Sequence, residues 1–339
     1  MGFDLAELER AVASHGTVAR VVIAAIKGST PREVGASMLV WAEGQSGTIG
    51  GGALEFEAAR AARATLAIAA RAPMLTSHPL GPSLGQCCGG HVTLLAEIFD
   101  ETSVTALQGQ DVIARPTGAT TDMPLQVRHL LAKARNAGAG FEPQLKQGWM
   151  LEPLHRPAHP LWTWGAGHVG RALVQTFAPL PDFAITWIDT APDRFPADIP
   201  ANATQVPATS PATLVPHAPG NALHLILTYS HALDLELCHQ LLSHRFAFAG
   251  LIGSASKWAR FRNRLAALGH ATEKIDRITC PIGNPALGKH PQAIAIGVAS
   301  ELLQKTAQTV ASREETNDNR DIAQHQRTDQ SLSRRRRQR

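Results

Sequence analysis

The chain has 339 residues, 44% hydrophobic and 18% charged, a balance that suits a globular protein of about two domains and excludes a disordered one. Its apolar runs, such as residues 21–26, fall far short of the ~20 residues that cross a bilayer, so no membrane span is expected. Of the formal net charge of +4, +3 falls in residues 312–339, which hold eight arginines against five acids; the nearly neutral body argues against a nucleic-acid binder. The opening residues 1–7 are acidic and amphipathic rather than basic and then apolar, which argues against a secretory leader, and cytoplasmic residence is the expectation.

In chain order, Leu5, Leu8 and Val12 share one helical face behind Asp4 as N-cap. The β-branched run 17–27 reads as a strand and 28–35 as a turn-rich loop. Residues 37–41 and 47–49 pair as a hairpin around 44–46, and the alanine-rich stretch 53–71 predicts a helix. A strand returns over 91–99 after the loop 81–90, and 124–137 predicts a further helix. Strands are then expected at 161–164, 184–188, 223–228, 247–252 and 277–280, alternating with helices at 168–177, 233–243, 256–268 and 290–309. Such alternation implies a doubly wound parallel sheet with helices on both faces. The expected division is an α+β domain over 1–100, a mixed connecting region with a proline-rich linker over 101–158, a Rossmann-like α/β domain over 159–311, and a disordered basic tail over 312–339.

The sequence Gly165-Ala166-Gly167-His168-Val169-Gly170 sits between a predicted strand and a predicted helix, as the G-x-G-x-x-G phosphate turn requires. Gly165 permits the tight turn, Gly167 lets a diphosphate approach the backbone, and Gly170 lets helix and strand pack closely. Asp189 closes the next strand, where an acid commonly bonds a ribose 2′-hydroxyl. NAD(P) or another nucleotide is therefore a candidate ligand. Ordinary dehydrogenase machinery is sparse: Tyr229 is the single tyrosine, so no Tyr-x-x-x-Lys pair exists. His231, after a strand, is a candidate general acid or base, with a surface group beside helix-capping Ser230 and Asp234 as the plainer alternative.

Gly50, Gly51 and Gly52 lie between a strand and a helix, where consecutive backbone N–H groups can form an anion nest; a permissive tight turn is the commoner use of such glycines. Of four cysteines, Cys238 and Cys280 read as small buried hydrophobes. Cys87 and Cys88 are adjacent in a glycine-bracketed loop, so their side chains diverge and one at least is expected to be exposed, as a soft ligand or nucleophile. No C-x-x-C or H-E-x-x-H pattern predicts a structural zinc site.

Together, Gly28-Ser29-Thr30-Pro31-Arg32, Gly47 to Glu55, Leu84 to Gly90, Gly165 to Gly170, Ser230 to Asp234, Gly250 to Ser254 and Thr279 to Gly283 resemble the XdhC/CoxI family, accessory proteins of xanthine dehydrogenase and related molybdenum hydroxylases. The resemblance runs from about residue 10 to 310 and leaves out the tail and much of 101–158. It implies a chaperone that binds molybdenum cofactor (molybdopterin) as cargo, supports exchange of an oxo for a sulfido ligand, and inserts the cofactor into the hydroxylase. It also implies a cysteine desulfurase as partner, and a homodimer is compatible with such a chain. The family's motif cysteine falls at Cys87 or Cys88, which the sequence does not separate, and the pair is the candidate molybdenum contact. Either glycine turn, 50–52 or 165–170, could receive the pterin phosphate. Two other readings compete: an NAD(P)-dependent oxidoreductase using the C-terminal half with His231 near the nicotinamide, and an interaction scaffold with no ligand.

Overall fold

Residues 18–24 are buried without interruption, which is why their apolar run shows no two-residue alternation: this strand carries a layer on each face. In the computed structural model, which describes residues 2–68, 71–81, 89–118, 122–137 and 141–308, the chain divides into two units, Met1–Arg156 and Pro157–Arg339. The Cys87–Cys88 loop and the basic tail fall outside the described residues.

The first unit runs α1 (Leu5–His15), β1 (Val18–Lys27), β2 (Ser37–Val40), β3 (Gln45–Gly47), α2 (Gly52–Ala67), β4 (Met74–Pro79) and β5 (His91–Phe99). It continues with α3 (Glu101–Thr105), β6 (Val112–Pro116), α4 (Leu125–Ala137), β7 (Gln144–Lys146) and β8 (Trp149–Pro153). Asp4 caps α1 as expected, its carboxylate accepting the Glu7 N–H at 2.8 Å. Five strands form an antiparallel sheet in the order β3-β2-β1-β5-β4. On one face, Val21 and Ile23 pack with Leu54, Ala58 and Ala62 of α2. On the other, Val22 and Leu95 meet Met150 of β8.

The region expected as a mixed connection, 101–158, thus carries a second antiparallel sheet, β6-β8-β7, and groups with the first unit up to Arg156. Arg20 of β1 is fastened to Glu152 of β8 by two hydrogen bonds of 2.7 and 2.9 Å. Arg115 of β6 bonds both Glu152 and Glu97 of β5. Phe3 lies against both guanidiniums, 4.3 and 4.8 Å from its ring centroid. The hairpin expected around 44–46 turns slightly earlier, with Gln45 and Ser46 already in β3.

The second unit runs β9 (His159–Trp164), α5 (His168–Phe177), β10 (Phe183–Asp189), β11 (Ala203–Pro207), β12 (Leu223–Ile226), α6 (His231–Leu242), β13 (Phe248–Leu251), α7 (Ala255–Ala267), α8 (Thr272–Ile275), β14 (Ile278–Thr279) and a final helix α9 over 291–308. All six strands are parallel, in the order β11-β10-β9-β12-β13-β14. Numbered within the unit this is 3-2-1-4-5-6, the Rossmann order. Leu173 and Phe177 of α5 and Val298 and Leu302 of α9 cover one face; Leu237 and Leu241 of α6 and Phe261 and Leu265 of α7 cover the other. The expected α/β, doubly wound class therefore holds, with β11 as an added edge strand. Among the described residues, no helix is long and apolar enough to cross a membrane.

Candidate functional site

Where the chain leaves β1, the 28–32 loop meets the glycine turn at 50–52 and the residues Gly89 and Gly90. Leaving β1, the chain forms an isolated bridge between Ser29 and Gly89, the residue that follows Cys88. Gly90 is glycine because a Cβ there would stand 2.0 Å from the Ser29 carbonyl oxygen. Gly50, at φ +123°, abuts the next part of the same loop: its Cβ would lie 2.6 Å from Cγ of Pro31. Residues 28–32 are thus held between the glycine turn at 50–52 and the end of the cysteine loop. Cys87 and Cys88, the candidate metal contacts, lie outside the described residues.

The glycine turn does make an anion-binding concavity, and the protein fills it itself. Glu55, in the first turn of α2, accepts the N–H groups of Ile49 and Gly51, each at 3.0 Å, and the Thr48 hydroxyl at 2.6 Å. Burial alone would raise its carboxyl pKa; these donors reverse that and hold it below the ordinary range. A phosphate at Gly50, Gly51 and Gly52 would have to displace a carboxylate already in place.

The second unit's site stands at the carboxyl edge of its sheet, where the chain leaves the neighbouring strands β9 and β12 for helices on opposite faces. Gly165 is buried at φ +123°, and its Cβ would lie 2.5 Å from the Leu227 carbonyl oxygen. Gly170 lies so close beneath the turn that a Cβ would stand 2.0 Å from the Gly165 carbonyl oxygen. Gly167, the N-cap of α5, has an ordinary φ of −71°, and a Cβ there would meet nothing within 4 Å. Asp189 closes β10 and is only 4% exposed. Its Oδ2 accepts the Ala166 N–H at 2.6 Å, and its Oδ1 accepts the Thr190 N–H at 2.6 Å. Arg194 lies 3.5 Å from Oδ1 and sets its guanidinium 4.8 Å from the centroid of the exposed Tyr229 ring. Beside them opens a cavity of about 510 Å³, walled by Thr190, Ser210, Tyr229, Ser230 and Glu236 among others.

His231 is the first residue of α6 and exposed, while Ser230 caps that helix by accepting the Leu233 N–H. Asp234 is not a capping group. It is 1% exposed, accepts the Thr228 N–H and hydroxyl at 3.0 and 2.7 Å, and pairs with Lys257 at 2.6 Å. Lys257 also donates to the Ile252 carbonyl at 3.0 Å, so one ion pair fastens the turn after β12 to the turn after β13. Cys280 lies nearby; burial pushes its thiol up to about 11, and Cys238, fully buried, is pushed higher still, so neither is a thiolate at neutral pH. Among the described residues, no group of three His, Cys, Asp or Glu side chains is disposed to hold a metal ion. Sequence reasoning missed Arg194, Thr190 and the Asp234–Lys257 pair. The last had a signal, a lysine three residues after the helix-capping Ser254, which points it back over the turn.

Fold and turns together define a two-unit α/β protein: a two-sheet α+β unit followed by a Rossmann domain with an intact glycine turn. Within that class the chain belongs to the XdhC and CoxI family. Residues 161–302 match the XdhC Rossmann domain and residues 11–77 match the XdhC and CoxI family domain. The chain is 33% identical over 141 residues to the uncharacterized protein YqeB of Escherichia coli K12, a stretch that takes in 41% of this chain and spans 26% of that protein. A crystal structure described as a xanthine dehydrogenase from Bacillus halodurans shares the fold, with a TM-score of 0.64 at 20% identity over 89% of this chain and 95% of that one.

Proposed function

We propose that this protein is an accessory factor for molybdenum hydroxylases of the xanthine dehydrogenase class. It carries the molybdenum cofactor as cargo, shelters it while sulfur from a cysteine desulfurase replaces an oxo ligand, and delivers it to the apo-enzyme. Family membership supports the accessory role. The observation that carries the cargo reading is the junction of the 28–32 loop with Gly50 on one side and Gly89 on the other. Gly89, the residue that follows the two thiols, is bridged there to Ser29, and soft thiolates suit a molybdenum–dithiolene centre. Of the two glycine turns, the nest at 50–52 is already answered by Glu55.

Purified after co-expression with the cofactor pathway, the protein is expected to hold molybdenum and pterin in equal amounts and to activate an apo-hydroxylase. The double variant Cys87→Ala/Cys88→Ala should lose most of that load and of the transfer. A double variant that loads and transfers normally would remove the thiols from the mechanism.

A further inference from the structure

We infer that the α7–α8 flank of the second unit is the surface through which this protein docks onto an acidic face of the hydroxylase it serves. The inference rests on the proposed function for the identity of that partner; the surface itself is read from the chain's own charges and their exposure.

Charge in the second unit is sharply divided. Residues 157–242 hold two arginines against six acids, whereas residues 243–277, from just past α6 to the turn after α8, hold seven lysines and arginines against two acids. Three of these cations are engaged within the unit. Lys257 pairs with the buried Asp234, Arg262 pairs with Asp276, and Arg277 lies 4.1 Å from the Phe246 ring centroid while donating to the Phe246 carbonyl. The other four, Arg245, Arg260, Arg264 and Lys274, are exposed, and no acid among the described residues pairs with them. Gathering cations on one flank costs the free protein self-repulsion, which an acidic partner relieves.

The flank also has an apolar element at the right place. Arg260, Arg264 and Leu268 follow at intervals of four residues, so they line one face of α7 and its C-cap, and Leu268 is 53% exposed. Two residues further on, His270 meets His239 with ring nitrogens 2.7 Å apart. Burial, His239 and Lys274 all hold its pKa below the ordinary 6.5, as a cationic surface does. An exposed leucine in line with arginines has the anatomy of a protein contact, an apolar centre with a charged rim. Single-stranded nucleic acid would need aromatic faces to stack on, and this flank offers none: Phe246 and Phe261 are buried and Trp258 is half-buried.

Surface plasmon resonance with the full chain, purified free of cofactor, over an immobilised apo-hydroxylase of the xanthine dehydrogenase class from the same organism tests this. The wild-type Kd should rise about tenfold between roughly 50 and 300 mM salt. Arg260→Glu/Arg264→Glu should raise the low-salt Kd about tenfold and flatten that dependence, and Leu268→Ala should raise it several-fold, with melting temperatures unchanged. Arg10→Glu/Arg128→Glu, which removes the same charge from exposed positions of the first unit, should bind as the wild type does. Absence of binding, an affinity indifferent to salt, equal losses in the two double variants, or equally tight retention on duplex DNA or phosphatidylserine vesicles would overturn the inference. Molybdenum and pterin co-purified with each variant separate the two readings. Binding kept with no cofactor loaded would remove the cargo role and leave the surface, whereas normal loading with Arg260→Glu/Arg264→Glu binding as wild type would remove the surface alone.

Discussion

A methyl group on Gly170 would stand 2.0 Å from the Gly165 carbonyl oxygen, an approach that only a shift of α5 away from β9 could relieve. Overpacking of this kind costs about 1–3 kcal/mol. Gly170→Ala should therefore lower the urea midpoint of the second unit, read from tryptophan fluorescence, whereas Gly167→Ala should not. Equal midpoints for Gly170→Ala and wild type would mean that helix and strand are less closely packed than the geometry requires. The sequence presents the three glycines as one motif. It does not separate those the chain needs from the one it leaves open, because that distinction lies in contacts with Leu227 and Gly165 itself. Asp189 was legible for the same reason that its neighbour was not: an acid at a strand's end follows from spacing, but Arg194 reaches Asp189 and Tyr229 only through the irregular segment after β10.

At the scale of elements, the first unit joins two sheets through charge. Arg20, Glu97, Arg115 and Glu152 are all under 9% exposed and come from β1, β5, β6 and β8. Removing one partner from such a set leaves the others buried and uncompensated, at a cost of about 3–5 kcal/mol. Glu152→Gln, which keeps the shape and removes the charge facing Arg20 and Arg115, should destabilise the unit by that order, measured by urea unfolding of Trp149 fluorescence. A loss below 1 kcal/mol would show that the guanidiniums are satisfied without it. This network also explains why 101–158 was opaque to sequence reading while β9 to β14 were mostly plain. Strands of three to five residues that place Arg115 and Glu152 inward break the apolar alternation on which strand recognition depends. The Rossmann strands β9, β10, β12 and β13 are largely apolar and set between helices, whereas β11 is a half-exposed edge strand ending in proline. In the first unit the glycine turn was legible as an anion nest, but not as one closed by Glu55, since a carboxylate near a helix start reads equally well as a dipole contact.

Over the whole molecule, each unit buries a group that acid disturbs, and the two respond in different pH ranges. In the first, burial alone would raise the Glu152 carboxyl, but Arg20 and Arg115 reverse this and hold it below its ordinary 4.5. Its contribution is complete above that value and is lost as pH falls through the lower folded one. In the second, His224 of β12 lies among Trp162, Trp164 and Phe246 and accepts the Trp164 indole N–H at 3.2 Å on Nδ1. Burial, with a smaller push from His244, takes its pKa down from 6.5 to about 3. The unfolded chain thus takes up a proton near pH 6.5 that the folded unit refuses, so stability is complete above 6.5 and declines from there toward 3. Each pH unit within that window costs up to about 1.4 kcal/mol. On acidification the Rossmann unit should weaken first, well before Glu152 titrates. Thermal melts followed by tryptophan fluorescence should show the wild-type transition falling by several degrees between pH 7 and 5. His224→Gln keeps an amide oxygen for Trp164 and carries no titratable group, and its transition should be nearly level over the same interval. A wild-type transition that does not move between pH 7 and 5, or a variant that falls just as steeply, would remove His224 as the source of the acid sensitivity.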